Sequence, residues 1–158
     1  MIKQFFISIL FLSILFSDEI KDGIVKEYYL NGKLKSEIIY KDGKENGPYK
    51  WYWTNGNISE EGTYKDGKLH GPIKIYYQTG ELQIKGNLNY GKKEGVVIGY
   101  YPNGQMKSKG FYKNDKKNGS YKWYYENGRI KIEEIYKDDK LIDSKEYPNY
   151  ANPNRNPL

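Results

Sequence analysis

The chain lacks cysteine altogether, and its 158 residues include a single histidine, two methionines and six prolines. Without cysteine it can form no disulfide bond, no thiolate metal site and no lipid-modified thiol. One histidine, His70, with no catalytic serine setting around it, supports neither a triad nor a zinc site. We therefore predict a protein that is not an enzyme, with no catalytic residue, no metal site and no cofactor, and with His70 as a turn or surface residue.

Long apolar runs are also lacking, with one exception near the N-terminus. Residues 5–16 are apolar apart from two serines, and Lys3 precedes them. Because a membrane-spanning helix needs roughly 20 such residues, this shorter run is typical of a signal peptide. We predict a signal peptide over residues 1–17, cleaved after Ser17, and export to the periplasm, the cell surface or the medium. A buried N-terminal strand or an uncleaved anchor is the alternative interpretation.

Blocks of like charge are missing as well. The formal net charge is +6, and it falls by one when a leader containing Lys3 is removed. Lysines and acidic residues alternate along the chain, which favours a solvated surface first and an anionic partner second. With no basic run of four or more residues, contact with a membrane surface is only weakly indicated, and no nucleic-acid partner is expected.

What the chain does contain is tyrosine, glycine and a strict repeat. It has 18 tyrosines and 17 glycines at a mean hydropathy of −0.91. Glycines spaced by 24 residues open five units, which span residues 23–46, 47–70, 71–94, 95–118 and 119–142. A constant period of this kind predicts a tandem repeat protein whose units stack on their neighbours. Residues 18–22 are a linker in this scheme.

Each unit contains two turn signals. Asn-Gly, as in Asn55-Gly56, occurs near the middle of four units and predicts a hairpin with a type I′ turn. A second signal, such as Asp42-Gly43, lies near the end of each unit. Two strands per unit then predict an all-β fold, an elongated, single-layer, twisted antiparallel meander of about ten strands. Residues 143–147 are predicted to add a capping strand, and the Pro- and Asn-rich residues 148–158 to be disordered.

Alternation along the strands separates two faces of the predicted sheet. One face, the aromatic wall, is predicted to be the core and contains Tyr49, Trp51 and Tyr121. Glycines on the adjoining strands, including Gly62 and Gly110, leave gaps that a neighbouring aromatic ring can cover. The opposite face is called the second face below.

A ladder of tyrosines and lysines is predicted on the second face. We take the following residues as the candidate binding face: Tyr28, Tyr52, Tyr76, Tyr100, Tyr124, Lys26, Lys50, Lys74 and Lys122. Equivalent residues two strands apart recur about every 10 Å, which suits stacking against an extended polymer or peptide. The alternative is that these rings and lysine stems pack on one another to cover the second face.

The pattern G-x-x-K-x-Y-Y-x-N-G-x-(L/I)-x-x-x-G-x-Y-x-x-G-K, most complete in residues 47–70, resembles the MORN-repeat variant family of bacteria. That family includes the YwqK-type antitoxin proteins. The resemblance covers residues 23–142 and implies a sheet of hairpins that acts as an interaction scaffold. Some such arrays are proposed to touch phospholipid, and YwqK-like members are linked to neutralising a cognate toxin.

These observations lead to one expected function and two alternatives. We expect an exported, non-catalytic protein–protein interaction module at the cell envelope or surface, with a protein partner of unknown identity. The first alternative is an immunity or antitoxin protein that neutralises a cognate toxin. The second is binding of a glycan or a phospholipid surface through the tyrosines and lysines of the second face. An antitoxin acting in the cytoplasm needs no leader, so the predicted signal peptide weighs against that alternative.

Overall fold

A computed structural model describes residues 22–149 of the chain. The predicted signal peptide, its cleavage site, most of the predicted linker and nearly all of the predicted disordered tail lie outside the described residues. Within residues 22–149 every regular element is a β-strand. No helix in this part of the chain is long and apolar enough to cross a membrane.

The strands form one open antiparallel sheet. In chain order they are β1 (Gly23–Tyr28), β2 (Leu34–Lys41), β3 (Lys44–Tyr52), β4 (Ile58–Lys65), β5 (Lys68–Leu69), β6 (Gly71–Tyr76), β7 (Leu82–Asn89), β8 (Lys92–Lys93), β9 (Gly95–Tyr100), β10 (Met106–Lys113), β11 (Lys116–Tyr124), β12 (Ile130–Lys137) and β13 (Lys140–Glu146). Their order in the sheet is β1-β2-β3-β4-β6-β7-β9-β10-β11-β12-β13, with β5 paired to β4 and β8 paired to β7. The fold is therefore an all-β meander, as the sequence predicts.

The thirteen strands correspond to eleven positions across the sheet. The short strand β5 and the following β6 both pair with β4, and β8 and β9 both pair with β7. Each such pair is one strand interrupted for a single residue, at His70 and at Glu94, just before the glycine that opens the next unit. The last position belongs to β13, whose residues Lys140–Glu146 pair with β12 along its length.

The two turns of each unit differ from the prediction in one respect. The Asn-Gly turns are not type I′, because Asn31, Asn55, Asn103 and Asn127 do not have positive φ. In the first of them, the N–H of Gly32 donates to the carbonyl oxygen of Tyr29, and only Gly32 has positive φ, at 78°. This geometry is a three-residue loop with a type I turn and a following left-handed glycine. The Asn31 carboxamide oxygen instead accepts a hydrogen bond from the N–H of Lys33.

The second turn of each unit is the one with type I′ geometry. Both central residues have positive φ at Asp42-Gly43, Asp66-Gly67, Tyr90-Gly91, Asn114-Asp115 and Asp138-Asp139. Asp and Asn tolerate this conformation better than most side chains do, so the later turns form without glycine. In the third unit this position is Tyr90, which is neither Asp nor Asn, and its φ is 49°.

The core lies on the aromatic wall. The buried apolar side chains there are Ile38, Tyr49, Leu88, Tyr112 and Tyr121. Rings contact each other along this face, with centroids 4.7 Å apart for Tyr49 and Tyr64 and 5.2 Å apart for Tyr121 and Trp123. Because the sheet is a single layer, side chains of the wall are buried only by one another. Few of them are therefore completely buried.

Consecutive units are joined by a repeated hydrogen bond beside the wall. The hydroxyls of Tyr77 and Tyr101 each donate to a backbone carbonyl oxygen 23 residues ahead, at Tyr100 and Tyr124, over 2.8 Å. The indole N–H of Trp53 makes the equivalent bond to Tyr76 at 3.2 Å. The same position in every unit therefore ties that unit to the next, which stabilises a stack of repeats.

Candidate binding face

The predicted ladder lies along a row of cross-strand neighbours on the second face. Direct pairing across the sheet joins Lys26, Glu37, Lys50, Glu61, Lys74, Lys85, Ile98, Lys109, Lys122, Glu133 and Lys145 in that order. Residues that pair directly point to the same face of a sheet. The predicted lysines are thus brought into one row, together with three glutamates that the sequence analysis did not single out.

In three places the row forms a cluster of one lysine, one glutamate and one tyrosine. The glutamate accepts a salt bridge from a lysine and a hydrogen bond from a tyrosine hydroxyl. The two donors of Glu37 lie on the two strands that flank β2, whereas both donors of Glu61 lie on β6. In the first cluster Glu37 lies 2.8 Å from Lys26 Nζ and 2.8 Å from the Tyr52 hydroxyl. In the second, Glu61 lies 2.9 Å from Lys74 Nζ and 2.8 Å from the Tyr76 hydroxyl.

The third cluster lies at the far end of the row. Glu133 accepts a salt bridge from Lys122 Nζ at 2.6 Å and a hydrogen bond from the Tyr147 hydroxyl at 2.6 Å. In each cluster the lysine salt bridge lowers the pKa of the glutamate below its usual value, and the tyrosine hydrogen bond lowers it further. These glutamates are therefore anionic at neutral pH, and each neutralises one lysine.

The centre of the row departs from this arrangement. The positions equivalent to the three glutamates carry Lys85 in the third unit and Lys109 in the fourth, and Ile98 replaces the ladder lysine of the fourth unit. From Lys74 to Lys122 the row therefore contains no acidic residue. Lys85 Nζ lies 5.5 Å from the centroid of the Tyr100 ring, and Lys109 has no salt bridge or ring contact within residues 22–149.

A shallow depression of about 390 Å³ adjoins this acid-free part of the row. Its lining includes Val96, Lys109, Phe111, Lys122 and Tyr124. Val96 and Phe111 pair directly across β9 and β10, and 45 % and 43 % of their surfaces are exposed. Exposed apolar side chains beside unpaired cations distinguish this part of the second face from the neutral clusters on either side.

The predicted tyrosines have unequal environments. Tyr52 and Tyr76 are partly buried, and their hydroxyls donate to glutamates. Tyr28, on the edge strand β1, is 60 % exposed. Tyr100 and Tyr124 are partly buried, but their hydroxyls have no hydrogen-bond partner among residues 22–149. Lys50 lies between Glu37 and Glu61 in the row without a salt bridge to either in this part of the chain.

The sequence itself shows that lysine replaces glutamate at the centre of the row. Reading one repeat position through the five units gives Glu37, Glu61, Lys85, Lys109 and Glu133. The positions that recur in every unit indicated the ladder, and the position that changes between units was missed. The apolar pair Val96 and Phe111 was missed for the same reason.

The described part of the structure shows how the side chains that can ligate metals are placed and where the single histidine lies. Within residues 22–149 no three His, Cys, Asp or Glu side chains are placed to hold a metal ion. His70 lies between β5 and β6, where its ring packs on Tyr90 at 4.7 Å between centroids and its backbone N–H donates to the carbonyl oxygen of Thr63. The ring is thus a packing element of the junction between two units.

Alkaline pH is expected to destabilise the fold more steeply above pH 10 than below it. Burial, and then the hydrogen bond to Glu37, raise the pKa of Tyr52 to about 12, and burial likewise raises the pKa of Tyr49 and Tyr76. A raised folded-state pKa stabilises the fold fully below the unfolded value of about 10, and this contribution is lost as pH rises towards 12. The urea midpoint should be nearly constant from pH 7 to 9 and fall from pH 10 to 11.5. A midpoint that stays level to pH 11.5 would contradict this expectation.

The chain is similar to a known family of repeat proteins. A model of the MORN repeat variant matches five segments of the chain, at residues 21–42, 45–66, 69–90, 93–114 and 117–138. The segments recur every 24 residues, in step with the repeat of the strands and turns. No curated protein matches the chain.

Proposed function

The chain belongs to the MORN repeat variant family, whose repeats are generally binding modules, and we propose that it binds a protein partner through its second face. The single observation that supports this site is the exposed, acid-free centre of the row on that face. A single-layer sheet has no second layer to cover Val96 and Phe111, and exposed apolar groups of this kind are typical of protein-binding surfaces. The proposal is for a non-catalytic interaction module.

The place of binding is part of the proposal. The apolar run over residues 5–16 supports export, so the partner would be met at the cell envelope, at the cell surface or outside the cell. Neutralisation of a cognate toxin is one form that such protein binding would take, and its support is the likeness of the repeats to the YwqK-type antitoxins. A toxin partner would then be one encountered outside the cytoplasm.

Glycan binding has less support from the geometry. Stacking on a sugar needs tyrosine faces that are free, whereas Tyr52 and Tyr76 are partly buried and fixed by hydrogen bonds to glutamates. The exposed apolar groups beside the acid-free part of this face are Val96 and Phe111, which offer a socket for an aliphatic or aromatic side chain. A protein therefore suits the second face better than a polysaccharide does.

The first test is a capture experiment with three forms of residues 18–158. The unaltered chain and the variants Phe111→Ser and Leu141→Ser are immobilised and exposed to the envelope and secreted fractions of the source cells. Phe111 and Leu141 have similar exposure, at 43 % and 47 %, but Leu141 lies in the edge strand β13, away from the depression. We expect one protein to be retained in stoichiometric amount by the unaltered chain and by Leu141→Ser, and at least tenfold less by Phe111→Ser.

Two results of this experiment would contradict the proposal. Retention of polysaccharide or lipid without protein would show that the chain binds a glycan or a membrane surface instead of a protein. Equal retention of the protein by all three forms would place its binding site away from the depression. Melting temperatures of the two variants, measured beforehand, show that each is folded at the temperature of the capture.

A further inference from the structure

We propose that the centre of the second face binds an acidic segment of a protein, whose carboxylates pair with the two lysines that this chain has in the row where other units have glutamate. The centre is defined here as Lys85, Ile98, Tyr100, Lys109 and Tyr124, together with the adjoining depression. This inference rests on the proposed function and adds to it the chemistry of the partner.

The chain's own clusters show what these places accept. Each of the glutamates Glu37, Glu61 and Glu133 receives one lysine ammonium and one tyrosine hydroxyl, at distances of 2.6 to 2.9 Å. A carboxylate with two such donors is held by charge-assisted hydrogen bonds. The pair of tyrosine and glutamate recurs one unit apart, as Tyr52 with Glu37 and Tyr76 with Glu61, and the lysine comes from the strand before or the strand after the glutamate.

The centre has the tyrosine donors of this arrangement without their acceptor, and it has a further ammonium group at each position where the acceptor would be. Tyr100 occupies the place of Tyr52 and Tyr76 one unit further on, and Tyr124 follows one unit after that. Where their partner glutamates would be, the row has Lys85 and Lys109. Two ammonium groups and two tyrosine hydroxyls are thereby left without a carboxylate, and none of the four has one from elsewhere in residues 22–149.

The spacing of these donors sets the spacing of the acids that would meet them. Lys85 and Lys109 lie two strands apart with Ile98 between them, a separation of about 10 Å. A peptide in the polyproline II conformation advances about 3.1 Å per residue with three residues per turn, so carboxylates three positions apart lie on one side of it and would reach both lysines. An apolar side chain between or beside the two acids would enter the depression at Val96 and Phe111. The occupant is therefore an acidic segment that also carries an apolar residue.

Other anionic partners fit these features less well. An anionic membrane attracts a dense basic cluster, whereas Lys74 and Lys122, the lysines flanking the centre, are already paired with Glu61 and Glu133. Those glutamates would also face the phosphates of a nucleic-acid strand laid along the row. Two lysines beside one apolar depression match a short peptide that has two carboxylates and one apolar side chain.

The test uses an array of decapeptides and the chain of residues 18–158. Each peptide carries two glutamates three positions apart, with all residue types varied at the two positions between them. A matched array has glutamine in place of both glutamates, and vesicles containing one third phosphatidylserine are assayed in parallel. We expect the best acidic peptides to bind at least tenfold more tightly than their glutamine counterparts, and to contain an apolar residue between the acids.

Matched charge reversals locate the binding. Lys85→Glu/Lys109→Glu gives the centre the acid found in the other units, so its melting temperature should not fall while peptide affinity drops at least tenfold. Lys68→Glu/Lys92→Glu makes the same change in charge at two exposed lysines, in β5 and β8, whose side chains have no hydrogen bond, salt bridge or ring contact within residues 22–149. This control should bind the peptides within twofold of the unaltered chain.

The outcomes separate this inference from the proposed function. Equal binding of acidic and glutamine peptides, binding of neither, or binding unaffected by Lys85→Glu/Lys109→Glu would overturn the inference. Binding of the vesicles but not of the peptides would overturn it in favour of a membrane surface. If the captured protein is still retained by Lys85→Glu/Lys109→Glu, the inference fails while the proposed function stands. If acidic peptides bind as expected but no protein is captured, the proposed function is the part that fails.

Discussion

Replacement of Tyr49 by alanine is expected to lower the free energy of unfolding by about 3 to 5 kcal/mol, as it does for other large buried aromatic residues. Tyr49 is 2 % exposed, and its ring packs against Tyr64 and covers Gly62. Its hydroxyl donates to Glu60 Oε1 at 2.6 Å. Because most domains have a stability of only about 5 to 15 kcal/mol, this single change should remove much of it. The measurement is the urea midpoint of each form.

The repeat supplies a matched control for Tyr49. Val25 occupies the same position in the first unit, but it lies on the edge strand β1 and is 36 % exposed. Val25→Ala should therefore cost less than about 1 kcal/mol, since little buried area is lost. Comparable losses at the two positions would show that stability does not depend on burial along the aromatic wall, contrary to the fold described above.

Replacement of Gly110 by alanine is expected to cost about 1 to 3 kcal/mol, although alanine is normally the better residue in a strand. A methyl group at this position would lie 2.0 Å from Cδ2 and 2.3 Å from Cε2 of the Tyr121 ring. The ring cannot move away freely, because Tyr121 is 8 % exposed and packs against Trp123 and the ammonium group of Lys117. The added methyl must therefore displace several side chains of the wall.

Gly86 is the equivalent residue one unit earlier, and it serves as the control for Gly110. There a methyl group would lie 3.1 Å from Cγ2 of Val97 and 3.6 Å from its next nearest atoms, which a small rotation of the valine can relieve. Gly86→Ala should change the free energy of unfolding by less than about 0.5 kcal/mol. Thermal melts of the two variants measure this difference. An equal loss of stability at both glycines would show that the Tyr121 ring does not fill the gap at Gly110.

The fold could be predicted from the sequence because each of its determinants is local and repeated five times. The 24-residue spacing of Gly23, Gly47, Gly71, Gly95 and Gly119 fixes the unit. Alternation then assigns residues to faces, and the buried side chains Tyr49, Tyr112 and Tyr121 lie on the predicted aromatic wall. The glycine gaps are covered by Tyr49 at Gly62 and by Tyr121 at Gly110, as predicted, but by Val97 at Gly86.

The turns show where local rules were insufficient. Asn-Gly strongly favours a type I′ turn in a two-residue loop, but the repeat uses a longer loop at that position. One reason is a contact between units, because the Asn55 carboxamide donates to the carbonyl oxygen of Gln78 in the next unit at 2.7 Å. A bond of this kind depends on how the units stack, which the sequence of one unit does not specify.

The candidate site was predicted only in its repeated part. The Tyr and Lys residues of the ladder recur, so their common face follows from the period of the strand. The acceptors Glu37, Glu61 and Glu133 could not be assigned to particular donors until the register of the strands was known. Register also places Lys85, Ile98 and Lys109 side by side, although they are 24 residues apart from end to end.

Lysine labelling of the chain with and without its captured partner tests the account most directly. An amine-reactive reagent modifies exposed lysines, and mass spectrometry measures the extent at each one. We expect the partner to lower the labelling of Lys85 and Lys109 at least fivefold and to leave Lys68 and Lys92 unchanged, since those two lie away from the centre of the second face. Unchanged labelling of Lys85 and Lys109 in the complex, with protection elsewhere, would contradict it.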